Sequence, residues 1–218
     1  DILQLAAIAK KHDLFLIFDE VYREFVYDGA EHYSIMQVEG IEENAIMIDS
    51  VSKRFSMCGA RIGWVVSKNK AVMKSLLKFA QARLSPPTYS QIAAERAFDV
   101  PEQYFTEVLE EYTHRRNVLI EALQKVEGVR VSKPKGAFYC IAELPVEDAE
   151  AFSIWLLDKF SVENETVMLA PAEGFYATKG LGRNQVRIAY VLECEKIERA
   201  VAILAAGLKA YAILVKNI

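Results

Sequence analysis

Apolar positions along the chain change period several times, and each change marks an element. Ile2, Leu3, Ala6, Ile8 and Ala9 recur at helical spacing. A continuous apolar run, Leu14-Phe15-Leu16-Ile17-Phe18, then ends in Asp19-Glu20, and Ala45-Ile46-Met47-Ile48 ends in Asp49-Ser50 in the same way. Short runs of this kind predict parallel strands buried on both faces. A third strand is predicted over 61–66. Two strands entered from helical or irregular segments, each ending in polar residues, predict a layered α/β sheet, with Asp19 and Ser50 on the carboxyl edge where such sheets bind ligands.

Helical periodicity dominates the middle of the chain. It covers 69–84, stops at Pro86-Pro87, resumes over about 90–98, and opens again at Pro101. That last helix should run to about residue 126 and end at Gly128, the proline-first, glycine-last arrangement. Short strands follow over 129–131, 137–142, 167–170 and 185–191, alternating with helices over 148–160 and 193–215. The expected organisation is a larger α/β domain over 1–112 and a smaller α+β domain over 113–218. A helix that opens at Asp1 with no methionine and almost no cap reads as a cut, so an N-terminal part is expected to be missing.

Composition narrows the class. Of the 218 residues, 52% are hydrophobic and 26% charged, the balance of a globular protein. The formal net charge of −4 points to no phosphate backbone and no acidic membrane as partner. Apolar runs fall far short of the roughly 20 residues a membrane helix requires. Cys58, Cys140 and Cys194 are odd in number, widely spaced and in no metal-ligand pattern, so the expected compartment is the reducing cytoplasm and no metal is expected.

The densest chemistry surrounds Lys53. It follows Ser50 and Ser52 just past a strand end, with Arg54 and Arg61 nearby and Gly59 and Gly63 flanking Arg61. A partly desolvated lysine near other cations can act as a Schiff-base nucleophile. An arginine with serine hydroxyls can clamp a phosphate, and the glycines let the backbone turn and approach a ligand. The bland alternative is a solvated loop with ordinary surface charges.

The order of residues favours the first reading. Ser50-Val51-Ser52-Lys53-Arg54-Phe55-Ser56-Met57-Cys58-Gly59-Ala60-Arg61-Ile62-Gly63 resembles the lysine-attachment segment of pyridoxal-phosphate (PLP) aminotransferases of class I/II, aspartate-aminotransferase-like. That segment reads small, apolar, small, lysine, then an arginine eight residues on, followed by an apolar residue and glycine. Asp19-Glu20-Val21-Tyr22 resembles the family's aspartate that pairs with the pyridine nitrogen and the tyrosine that meets the ring hydroxyl. Gln185-Val186-Arg187-Ile188-Ala189-Tyr190 resembles the segment whose arginine binds the substrate carboxylate, and Gly136-Ala137-Phe138-Tyr139 a segment near the substrate. The likeness extends over essentially the whole chain and corresponds to the C-terminal portion of such enzymes.

The resemblance implies fold type I of the PLP-dependent transferases, here a truncated large α/β domain followed by a small α+β domain. It implies that Lys53 bonds PLP and moves protons, that Asp19 and Tyr22 tune the ring, and that Ser50, Ser52 and Arg61 hold the phosphate. Arg187 then reads the carboxylate of an amino acid or 2-keto acid, with Phe138 as a pocket wall. Arg83 is a candidate second cation for an acidic substrate. The family implies a cytoplasmic homodimer, and a piece of this length is expected to be inactive alone. Two other readings stand beside it: a carbon–sulfur lyase, against which Tyr22 counts because those enzymes more often carry histidine there, and an aminotransferase-like sensor domain of a transcription regulator, which an upstream helix-turn-helix would reveal.

Overall fold

The structure, a computed structural model, describes residues 1–216. The chain divides into two compact units, Asp1–Thr106 and Glu107–Ile218. The sequence places the boundary at 112/113; the division at 106/107 falls inside the same long helix, α5 (Glu102–Gln124). Residues 217 and 218, the end of the expected second domain, lie outside the described residues.

In the first unit, α1 (Ile2–Lys11) is followed by β1 (Leu16–Asp19), and β1 pairs in parallel with β2 (Ala45–Ser50), Asp19 standing opposite Ile48. β3 (Gly63–Val66) runs antiparallel to β2 and sets Gly63 opposite Ser50. Strand period does the sorting: along β2, Ala45, Met47 and Asp49 are buried and the residues between them are half-buried. Ala6, Ile35, Val38, Ile41, Ala45 and Met47 form one core cluster. The expectation that β1 is buried on both faces is corrected. Ile17 is 62% exposed and only the Leu16 and Phe18 face packs on that cluster, so β1 is covered on one side among the described residues. Its ladder also begins at Leu16 rather than Leu14, because Leu14 donates its backbone N–H to Ala9 at the end of α1.

Three helices complete this unit. α2 (Val51–Arg54) is a single turn, capped by the Ser50 hydroxyl, which accepts from Ser52 N at 3.2 Å. α3 (Lys70–Arg83) starts where Asn69 Oδ1 accepts from the amides of Ala71 and Val72. α4 (Thr88–Ala97) begins just after Pro86-Pro87. Val51, Phe55, Ala94 and Ala97 form a second core cluster beneath α2.

Glu20, two per cent exposed, directly follows β1. Its Oε1 accepts from the Ser34 hydroxyl at 2.8 Å and from Ile35 N at 2.9 Å, and its Oε2 lies 2.9 Å from His32 Nε2. A carboxylate satisfied by several donors is affordable inside a fold, whereas the same donors without it are not. Asp49 is buried differently. Its Oδ1 accepts from Ser50 N at 2.7 Å, but Oδ2 has no hydrogen-bond partner among the described residues and stands 3.7 Å from Arg23 Nη1. Desolvation outweighs these contacts and holds its carboxyl above the ordinary value.

The second unit is an antiparallel sheet ordered β4 (Arg130–Val131), β5 (Tyr139–Glu143), β7 (Gln185–Ala189), β6 (Ala170–Pro171). α6 (Ala149–Lys159) and α7 (Cys194–Lys216) accompany it, with Asp148 Oδ1 capping α6 through Ala151 N. Leu123, Ala142, Leu144, Phe152, Leu156 and Val186 are essentially closed to solvent. α6 and α7 touch at Gly207, where a Cβ would come within 2.6 Å of Leu156 Cδ2. The strand predicted over 167–170 is corrected to Ala170–Pro171, a short edge piece of the kind where a proline without an N–H is tolerated. Helix α5 ends at Gln124, and Gly128 follows with φ +78°, the left-handed turn its glycine allows.

Two expected outcomes follow from the buried acids. Glu20→Ala strands the Ser34 and Ile35 donors and should cost about 2–4 kcal/mol in urea unfolding, while Glu20→Gln, which keeps an acceptor, should cost less. Asp49→Asn retains an acceptor for Ser50 N. Because the folded carboxyl titrates above its unfolded value, the stability it allows is complete below the ordinary carboxylate range and falls as pH rises through the shifted value. The asparagine variant should therefore gain on the parent at neutral pH and lose that advantage below about pH 4, read from unfolding midpoints across pH.

Candidate active site

The parallel pair β1–β2 brings its two polar strand ends to one edge. Asp19 is exposed at the end of β1, with Oδ1 accepting from Val21 N at 3.2 Å, an interaction that folds the following residues back across the edge. Tyr22 lies in the turn that results, and Lys53 Nζ stands 5.9 Å from the centre of its ring. Lys53 itself is the third residue of the single turn α2, whose start is fixed by the Ser50 cap. The same hydroxyl that caps the helix therefore lies on the edge that bears Asp19.

Arg61 enters from the other side of Ser50. Val51 N donates to Ile62 O at 3.2 Å, and Gly63 faces Ser50 across the β2–β3 ladder. The sequence assigns the tight turn to the flanking glycines, but the residue with positive φ is Arg61 itself, at φ 57° and ψ 40°. Its Nη1 donates to Cys58 O at 3.0 Å, which holds the side chain over its own turn and leaves it exposed. Gly63 serves close approach instead: a Cβ there would sit 3.0 Å from Asp49 O and 3.3 Å from Ser50 Cβ. Ser52, half-buried in α2, donates its amide to Ser50.

The donor set on this edge suits a phosphorylated aldehyde with a basic ring nitrogen. An amine, a carboxylate, a phenol, two hydroxyls and a guanidinium stand on Lys53, Asp19, Tyr22, Ser50, Ser52 and Arg61, all within the first unit. Gly59 has open space where a Cβ would stand, so the loop between Lys53 and Arg61 leaves room beside it.

Arg187 belongs to the second unit. The alternation expected for its strand is present, with Val186 buried and Arg187 and Ala189 exposed. Its guanidinium lies 4.7 Å from the Tyr139 ring centre and 4.8 Å from that of Phe175. Both rings present faces that attract a planar cation. Arg187 and Tyr139 also line a cavity of about 670 Å³ whose other walls, Thr166 apart, are apolar, including Met168, Leu169, Ile188 and Leu192. Phe138 is buried and stacked on Tyr112 at 5.5 Å, one residue before β5, while its neighbour Tyr139 meets Arg187 together with Phe175. Arg83 lies exposed in the last turn of α3. Among the described residues no group of His, Cys, Asp and Glu is arranged to hold a metal ion, and no helix is long and apolar enough to cross a membrane.

Sequence reasoning missed Glu20, Tyr139 and Phe175. Glu20 carried a signal: strand alternation turns it inward if Asp19 faces out. Tyr139 lay in the segment singled out near the substrate, where the reading fell on Phe138 instead; Phe175 carried none, since its contact with Arg187 joins separate segments of the chain.

The profile of the family described as aminotransferase class I and II matches residues 1–204. Curated relatives include an aspartate aminotransferase of Pyrococcus horikoshii, 31% identical over 200 residues, and aromatic-amino-acid aminotransferase 2 of Thermococcus litoralis, 33% identical over 202 residues. The alignments take in 90% and 92% of this chain but 49% and 50% of the relatives, so the chain spans about half their length. Among solved structures, an aromatic aminotransferase of Pyrococcus horikoshii superimposes with a TM-score of 0.84 at 31% identity, covering 97% of this chain and 55% of that one. The α-aminoadipate aminotransferase LysN of Thermus thermophilus, complexed with N-(5'-phosphopyridoxyl)-L-leucine, gives 0.84 at 26% identity, covering 98% and 55%. The two-sheet α/β architecture is that of the fold-type-I PLP enzymes, and the chain belongs to the class I and II aminotransferases.

Proposed function

We propose that the whole protein is an aminotransferase that moves an amino group between an amino acid and a 2-keto acid, and that this chain carries its lysine. The observation that supports this most is Lys53 Nζ over the Tyr22 ring at the strand edge that also bears Asp19 and Ser50. Lys53 is the amine that bonds the cofactor aldehyde, with Ser50, Ser52 and Arg61 holding the phosphate. Asp19 keeps a proton on the ring nitrogen, and the Tyr22 hydroxyl orients the ring oxygen. Bound pyridoxal phosphate supplies the electron sink for the pair left at the substrate α-carbon.

With the cofactor bound, Lys53 would take the substrate α-proton and return one as general base and acid. The Tyr22 ring beside Nζ limits where that amine can move. Arg187 reads the substrate α-carboxylate, for which a guanidinium offers two parallel donors that lysine lacks. The Tyr139 and Phe175 rings, 4.7 and 4.8 Å from the planar group, support this role. Phe138 backs the same strand start and is proposed as a wall behind Tyr139. Substrates of the aspartate type and of broader range both agree with the relatives' names. A cytoplasmic homodimer completes the proposal.

Reduction of the cofactor-loaded whole protein with borohydride, followed by peptide mapping, should leave the pyridoxyl label on Lys53; a label on another lysine overturns the assignment. Lys53→Ala should remove both the label and turnover. For Arg187→Leu, losing one partner of a desolvated charge pair predicts a fall of about thirtyfold to several thousandfold in kcat/KM for an amino acid. Its decarboxylated amine should lose little. Equal losses for the two would mean that Arg187 supports the fold rather than the substrate.

A further inference from the structure

A carboxylate outside the roles assigned above stands between the two segments that carry Lys53 and Tyr22. Glu24 lies two residues after Tyr22, and its Oε1 is 3.3 Å from Arg54 Nε and 3.8 Å from Arg23 Nε. Arg54 immediately follows Lys53. Its guanidinium also faces three rings, Phe55, Phe98 and Phe105, at 5.4, 5.9 and 5.3 Å. Arg23 turns its other end to Asp49 Oδ2 at 3.7 Å, beneath the Ser50 end of β2. Asp49, Arg23, Glu24 and Arg54 thus form an alternating chain of charges linking β2, the Tyr22 turn and α2.

We propose that Glu24 is a positioning residue, which through Arg54 braces the turn bearing Lys53 against the turn bearing Tyr22. This rests on the reading of Lys53 as the cofactor-bonding amine. α2 has only four residues, too few to hold its own shape, so Lys53 depends on what fixes each end of the turn. Ser50 fixes the first end. At the second end, the three rings hold the Arg54 guanidinium, and Glu24 ties it to the Tyr22 turn, alongside the Lys53–Tyr22 approach itself. Arg54 Nε has no aligned hydrogen bond among the described residues, so the Glu24 contact is an electrostatic one between half-buried groups. Such a pair responds to loss of charge more than to loss of shape. Glu24→Gln tests charge at constant volume, and Glu24→Asp retains the charge on a shorter stem.

The readout is competitive acetylation of the cofactor-free whole protein, with the modification of each lysine followed by peptide mass spectrometry. Breaking the brace lets Lys53 leave the Tyr22 ring, so its rate should rise about fivefold in Glu24→Gln, the change that corresponds to a pair worth about 1 kcal/mol. Lys70 and Lys196 serve as internal controls and should keep their rates; a rise at all lysines would signal loss of fold and count against the brace. Arg54→Leu should give a similar rise, and the Arg54→Leu/Glu24→Gln double variant no more than either single, since both remove one contact. Glu24→Asp should restore most of the parent rate. Additive effects, or an unchanged Lys53 rate in Glu24→Gln, overturn the proposal. Borohydride mapping of the parent whole protein separates the two levels: a label away from Lys53 defeats the reading of the site, whereas a label on Lys53 with an indifferent Glu24 defeats the brace alone.

Discussion

A buried carboxylate at the end of β1 fixes the geometry on which the first unit relies. Glu20 gathers the Ser34 hydroxyl, the Ile35 amide and the His32 ring, and so ties residues 32–35 to the strand end. Ile35 in turn sits in the core cluster with Ala45 and Met47 of β2. The strand end bearing Asp19 is therefore anchored through a neighbour that points the other way. Inward Glu20 supplies rigidity while outward Asp19 stays available for chemistry, a division that the two-residue period of a strand provides without further machinery.

The same economy recurs at β2. Asp49 points inward and Ser50 outward, and the backbone amide of the second is held by the carboxylate of the first. The inward acid is poorly satisfied, since one oxygen meets only a distant guanidinium. Rigid sites commonly retain groups that stability alone would replace, and Asp49 fits that pattern. Its neighbour Gly63 gives up a side chain for a similar reason, because the Asp49 carbonyl occupies the space a Cβ would take.

Much of this was legible in the sequence. The apolar runs before Asp19 and Ser50 identified two strand ends, and the ladder places those ends side by side. Lys53, Tyr22, Asp19, Ser50, Ser52 and Arg61 share one unit, as the motif spacing implied. Local signals also located the longer helices to within a few residues, because Asn69, Asp148 and Gly128 act on atoms close in the chain, but not the single turn α2. What escaped was non-local or depended on coverage. Whether β1 is covered on one face or two depends on what packs over it, and a run such as Leu14–Phe18 reads the same either way. The rings around Arg187 come from residues 139 and 175, and no period connects them to 187. The turn at 61 misled because glycine is the usual owner of positive φ, and here two glycines flank an arginine that adopts it.

Arg61 in that conformation has an evolutionary side. A non-glycine residue in the left-handed region is strained by roughly 1–2 kcal/mol, which glycine would relieve at once. Random mutation screened only for thermal tolerance would therefore be drawn toward glycine at 61, erasing the guanidinium in the process. If Arg61 holds the phosphate as proposed, selection for robustness and selection for activity pull this single position in opposite directions, so variants recovered by heat challenge should be sequenced at 61 before they are adopted as improved scaffolds.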